Sequence, residues 1–313
     1  MRLTYGGWIP AALRANPRQV PDEFATCAPE SQQPSAMVPN YSSAVLLGPF
    51  TTDGRTAKCI GLMGGDGTDS AVLYRRRLEQ EVAHRWGRHY AQKMVTMDLR
   101  IDELTAAMQA RDWKALAEQI RFAADRLASL GARGIVLCSS ALHIGADRLD
   151  LKVPLLHIAD ATLAAVPRSR VKRLGLLGTR YREEDLFWRA HFERANLPDV
   201  FVPTEKDRQK VTRIIVDELW RGIVRVSSSI ELMRVIYSLR QAGAQAVVLA
   251  VPELALALAD TESVLPLYDS RECHVAAALK WACTPASSGA PHAKPGKRTK
   301  RQIDRKTRYL NNA

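Results

Sequence analysis

Cys138 closes the run Gly134-Ile-Val-Leu-Cys138 and is followed by Ser139, Ser140 and His143. That order puts a thiol where a strand gives way to the amino end of a helix. The positive end of the helix dipole lowers a thiol's pKa there, and the resulting thiolate is a base or a nucleophile. The same position also suits a small buried hydrophobe. A second apolar run ends in Gly64-Gly65-Asp66-Gly67, whose backbone amides favour a bound carboxylate or phosphate. The turn lacks the G-x-G-x-x-G spacing of dinucleotide sites and no Walker lysine follows, so on its own it reads equally as a tight connection. His143 and His157 do not make a metal-ligand spacing and read as hydrogen-bonded structural histidines, and no metal site is expected. Cys59 and Cys273 read as packing residues, and Arg75-Arg76-Arg77 as the solvated face of a helix.

The segments that must carry these residues alternate in type. Short apolar runs at 59–63, 93–97, 135–138, 155–157, 174–177, 200–202, 246–250 and 265–268 have the continuous hydrophobicity of buried parallel strands. Amphipathic stretches at 70–86, 113–130, 185–195, 208–222 and 229–242 predict helices, with Gly131 and Gly243 as C-terminal stops. The pattern also repeats. Lys58-Cys-Ile-Gly-Leu-Met-Gly-Gly65 returns as Lys172-Arg-Leu-Gly-Leu-Leu-Gly-Thr179, Gly131-Ala-Arg-Gly-Ile-Val-Leu137 as Gly243-Ala-Gln-Ala-Val-Val-Leu249, and Val153-Pro-Leu-Leu156 as Leu265-Pro-Leu-Tyr268. Three matches in one order at nearly one offset indicate an internal duplication.

The fold class is therefore α/β: two similar doubly wound, Rossmann-like halves of about four parallel strands each. The expected halves are residues 58–165 with 265–283, and residues 166–264. Ligands of such sheets bind at the carboxyl ends of the strands, so the two halves should face a shared cleft bordered by Tyr74 and Arg75.

Composition restricts the remaining classes. With 46% apolar residues and a net charge of +12, the chain is globular. No apolar stretch approaches the roughly 18 residues of a membrane span. Five cysteines without a C-x-x-C pair suit reduced thiols in a cytoplasm-like compartment. Residues 1–57, with seven prolines, read as a disordered leader. Residues 284–313 hold eight Lys/Arg against Asp304 and read as a disordered basic tail. No aromatic platform or base-reading motif accompanies that charge, so nucleic acid is not the expected partner.

Residues 58–283 resemble the cofactor-independent aspartate/glutamate racemase superfamily, in its broad-specificity amino-acid branch. The family's GILGGMGPEST is similar to Cys59 through Ser70, and its CTNTMH resembles Cys138-Ser-Ser-Ala-Leu-His143. Its PLLHIADAT recurs as Pro154–Thr162, its LLGT as Leu176–Thr179, its IIYDEL-x-x-G resembles Ile214–Gly222, and its D-x-x-x-H-A-x-A resembles the stretch from Asp269 through His274 to Ala277. The resemblance implies racemisation without pyridoxal or any other cofactor, in which two thiols flank the α-carbon of an amino acid or related carboxylate. It makes Cys138 one base and places Gly64, Gly65, Ser139 and Ser140 around the substrate carboxylate. It puts Arg221 where some members bind the substrate side chain. A homodimer stays an option.

The chain departs from that pattern in one pocket. Where the family reads Leu-Gly-Cys-Thr-Glu, this chain reads Leu249-Ala250-Val251-Pro252-Glu253, so Val251 replaces the second thiol and Pro252 has neither a hydroxyl nor a backbone donor. Asp66 and Ser140 also differ from the family. Three readings are open: a racemase or epimerase with altered turnover in which Asp66, Glu253 or a water replaces the missing acid; a single-cysteine lyase or isomerase; and a non-catalytic protein that binds a carboxylate or a partner.

Overall fold

The computed structural model describes residues 57–65, 70–87, 92–146, 149–167, 170–178, 182–197, 199–259 and 261–284. The leader up to residue 56, Asp66, and the tail from residue 285 lie outside the described residues.

Two four-stranded parallel sheets carry the fold. The first has the order β2-β1-β3-β4, from β1 (Ile60–Gly64), β2 (Met94–Asp98), β3 (Gly134–Leu137) and β4 (Leu155–Leu156). The second repeats it as β6-β5-β7-β8, from β5 (Arg173–Leu177), β6 (Asp199–Phe201), β7 (Ala246–Leu249) and β8 (Leu267–Asp269). The pairing register repeats as well: Met63 lies opposite Leu137 in the first sheet, and Leu177 opposite Leu249 in the second. Every residue of β1, β3 and β7 is buried, which is why these strands read as unbroken apolar runs.

Helices cover both faces of each sheet. In the first half they are α1 (Ser70–Trp86), α2 (Ile101–Gln109), α3 (Trp113–Ser129) and α4 (Ser140–Ala146), followed by α5 (Ile158–Ala165). In the second they are α6 (Arg182–Arg194), α7 (Glu205–Arg213), α8 (Val226–Ala242) and α9 (Leu254–Leu258), followed by α10 (Ser270–Cys283). The segment expected as one helix over 208–222 breaks after Arg213 into a π-helical turn, Ile214–Glu218, and a 3₁₀ turn, Leu219–Arg221, closed by Gly222 at φ 70°. Its apolar residues Ile214, Ile215 and Leu219 still reach the core, so the hydrophobic pattern alone does not reveal the break.

The expected division of the chain needs two corrections, and both have the same cause. Each half lends the helix after its fourth strand to the other half. Ile158, Ala159 and Leu163 of α5 are buried with Leu174, Leu176, Trp188 and Val248 of the second half. Val275, Ala278, Leu279 and Ala282 of α10 are buried with Ile60, Leu62, Tyr74 and Leu78 of the first. Residues 158–165 thus pack with the second half. Residues 267–269 belong to the second sheet, because β8 hydrogen-bonds β7; only the helical part of 265–283 joins the first half. The Lys58 N–H donates to the Ala282 carbonyl at 2.9 Å, which ties α10 to the start of β1. Since α5 and α10 also pack on each other, a helical layer of α1, α10, α5 and α6 lies between the sheets.

Candidate functional site

Cys138 directly follows β3, and its N–H donates to the Met63 carbonyl at 2.8 Å, which holds the residue beside the end of β1. The side chain packs with Val136, Tyr74 and Val275, so it faces the helical layer between the sheets. It is enclosed, at 2% exposure, with Sγ 3.9 Å from the Val136 carbonyl. Ser139 and Ser140 are likewise buried, and the Ser139 hydroxyl accepts the Ala141 N–H at 3.1 Å. The helix that follows, α4, has seven residues, so the dipole acting on the thiol comes from only two turns.

Gly64 and Gly65 border this group for a steric reason visible in the packing. A Cβ on Gly64 would collide with the Asp98 carboxylate and with Ala71, and Gly65 sits at φ 136° against Leu99. These glycines let the first two strands end side by side, with the Leu99 N–H donating to the Gly64 carbonyl at 2.9 Å. The structure therefore assembles Gly64, Gly65, Cys138, Ser139 and Ser140 at one sheet end.

The second-half residues form their own group. The Ala250 N–H donates to the Leu177 carbonyl at 2.9 Å, as Cys138 does to Met63, so Ala250 is the internal counterpart of Cys138. Ala250 faces the helical layer, in the cluster with Val248 and Leu176. Val251, one residue later, faces the opposite way, into the cluster with Leu219, Leu249 and Leu254. A one-residue step at a strand end reverses the face, so the position that resembles the second thiol looks away from the layer that Cys138 faces. Glu253 precedes α9 and is half-buried, while Arg221 ends the 3₁₀ turn packed on α9 and is exposed.

Other expectations change once the side chains are placed. Tyr74 is buried, and its hydroxyl lies 3.1 Å from His274 Nδ1. Arg75 is exposed and pairs with Glu79 at 3.0 Å. Arg77 is not solvated: its side chain is 14% exposed and binds Glu81 and, across to α10, Glu272, each at 2.6 Å. Those two carboxylates hold its guanidinium more firmly charged against the cost of burial.

The four histidines at 143, 157, 191 and 274 meet in the helical layer. The His143 ring lies 4.6 Å from that of His157 and 5.6 Å from that of His274, and the His157 and His191 rings stack at 4.5 Å. His143 is fully buried, and its approach to the Leu137 carbonyl falls short of a well-formed hydrogen bond, contrary to the expectation of a satisfied structural histidine. Burial, reinforced by His157, His274 and His191 and opposed by the Leu137 carbonyl, pushes its pKa well below the ordinary imidazole value. His274 fits its place better: Nε2 donates to the Leu156 carbonyl at 2.8 Å and Nδ1 accepts from Tyr74, which fixes a neutral ring. Burial brings its pKa down to about 4. The His157 and Asp160 spacing is the signal in the sequence that would have pointed here.

Known proteins resemble this chain in sequence and fold. A model of the family described as Asp/Glu/hydantoin racemase matches residues 60–278. A crystal structure from Yersinia pestis assigned to the Asp/Glu racemases is 32% identical, with a TM-score of 0.67, over 72% of this chain and 100% of that one. An aspartate racemase homologue from Pyrococcus horikoshii is 23% identical, with a TM-score of 0.64, over 72% of this chain and 100% of its own. The aspartate racemase of Picrophilus torridus, 18% identical at a TM-score of 0.57 over 72% of this chain and 94% of its own, shares the fold.

Proposed function

Because the chain belongs to the Asp/Glu/hydantoin racemase family, we propose that it acts without a cofactor on the α-hydrogen of an amino acid or related carboxylate, with Cys138 as its one thiol base. The observation that carries this reading is the place of Cys138, held by Met63 at the end of β3 among Gly64, Gly65, Ser139 and Ser140. In that reading the Cys138 thiolate removes the α-proton on one face of the substrate. Backbone amides and hydroxyls around the Gly64–Gly65 and Ser139–Ser140 turns hold the carboxylate and stabilise the planar carbanion in a water-poor site. Return of the proton by Cys138 restores the starting enantiomer. Inversion needs a donor on the other face, and Val251 supplies none, so Asp66, Glu253 or a water must act there and racemisation is slow. Arg221 is exposed and would meet a substrate side chain at the outer rim.

The enclosure of Cys138 at 2% exposure adds a condition: the turns around it must open before a substrate arrives. The same enclosure favours a second reading, a carboxylate-binding protein that has kept the scaffold and lost turnover. The Cys138→Ala variant separates the two. On the catalytic reading the wild type exchanges the α-hydrogen of aspartate, glutamate or another amino acid of a broad panel with solvent deuterium, and the variant does not. If neither protein exchanges with any of them while a carboxylate still binds, the catalytic reading fails and the binding reading stands.

A further inference from the structure

We propose that His157, Asp160 and His191 form a binding site for a divalent transition-metal ion of the zinc class, at the contact of α5 and α6. One ligand atom from each of the three lies within 4.8 Å of the others, so small side-chain adjustments bring all three onto one ion. Two imidazoles and a carboxylate suit zinc and its neighbours, and a three-ligand set leaves a position for water. Three features of the fold build the set. His157 and Asp160 are three residues apart at the start of α5, which puts them on one side of the helix. His191 projects from α6 and stacks on the His157 ring. Its Nδ1 lies 2.8 Å from the Phe187 carbonyl, so Nδ1–H donates and ligation would be through Nε2, with the orienting hydrogen bond that metal-binding histidines use.

Access and charge fit the same use. Asp160 is exposed and His157 half-buried, so an ion reaches the cluster from solvent, while His191 anchors it at 5% exposure. Beside His157 lies His143, fully buried without a well-formed hydrogen bond to either ring nitrogen. His157 undergoes one exchange on binding. Its Nδ1 accepts the Ala159 N–H at 3.2 Å, so Nε2 carries the proton in the metal-free ring. Ligation through Nε2 moves that proton to Nδ1 and gives up this long capping bond, with no net change of charge on the ring.

The test uses the full-length, tag-free chain stripped with a chelator and titrated with zinc against a chromophoric competitor. The expected result is one zinc per chain at the site, a thermal midpoint that rises with zinc, and at least a tenfold loss of affinity in Asp160→Asn and in His191→Gln. Cobalt substitution adds a second readout: visible bands of a nitrogen and oxygen set, without the thiolate-to-cobalt band that a site at Cys59 or Cys273 would produce. Asp160 is exposed, so Asp160→Asn keeps the test valid if His191→Gln does not fold. Absence of zinc binding, or binding unchanged by Asp160→Asn, overturns the proposal. No outcome depends on racemase activity.

Discussion

Asp269 offers a prediction whose sign and size both follow from its surroundings. Its carboxylate caps α10 by accepting the N–H groups of Arg271 at 2.9 Å and Glu272 at 3.4 Å. Burial raises its pKa from 3.8 to about 6, with Arg271 working against the rise and Glu272 adding to it. Between those two values the folded chain binds a proton that the unfolded chain has released. The stability from this group is therefore complete below the unfolded value and is lost as the pH climbs through 6. At about 1.4 kcal/mol for each pH unit, a shift of that size corresponds to roughly 3 kcal/mol. The side chain keeps 14% exposure, which brings the effect to about 1–2 kcal/mol through contact with water. Asp269→Asn keeps an oxygen for the cap and removes the titration. Urea unfolding followed by tryptophan fluorescence, near pH 4 and near pH 7, should show the variant gaining about 1–2 kcal/mol relative to the wild type as the pH rises. A difference that stays constant, or moves the other way, refutes the reasoning. Comparing the two proteins matters because His274, on the same helix, pulls oppositely. With its pKa down at about 4, its contribution is present above the ordinary 6.5 and lost as the pH falls toward 4.

Further outcomes follow from packing and burial. Gly134→Ala places a Cβ 2.5 Å from the Trp281 ring, so that ring must shift off β3; the expected cost is about 1–3 kcal/mol in urea unfolding, and an unchanged midpoint would show that the ring gives way freely. Alkylation of the native protein, read peptide by peptide with mass spectrometry, should modify the half-buried Cys59 well before Cys138, and equal rates would mean that Cys138 is open in solution. Arg77→Met removes the bridge from α1 to α10 and leaves Glu272 and Glu81 without their shared cation, for an expected loss of about 1–3 kcal/mol by thermal or urea unfolding; a neutral result would assign that junction to apolar packing alone.

The sequence and the structure agree where one element decides the pattern. Residues 60–64 and 134–137 are buried on both faces, so their apolar runs and their repeats at 173–177 and 246–249 were readable without coordinates. The helix over 70–86 was equally plain, since Ala71, Tyr74, Leu78 and Val82 recur on one face. The exchanged helices were not readable in this way. Nothing in Ile158–Ala165 or Ser270–Cys283 marks which sheet each will cover, because that depends on how the two halves meet. The same limit applies to the site. Cys138 and its glycine and serine neighbours sit on consecutive strand ends of one sheet and were found together. The face of Val251 depends on a single-residue step relative to Ala250, and the histidine group draws on four helices or helix starts spread over more than a hundred residues. Fully buried, unsatisfied His143 had no local signature at all.

The central claim is that one thiol works on one side of the substrate. Each enantiomer of an amino-acid panel, incubated separately with the protein in D₂O and read by the loss of its α-proton NMR signal, tests it most directly. The account predicts that deuterium enters one enantiomer with its configuration retained much faster than the other enantiomer forms, and that Cys138→Ala abolishes the exchange. Equal exchange into both enantiomers, or exchange that persists in Cys138→Ala, would contradict it.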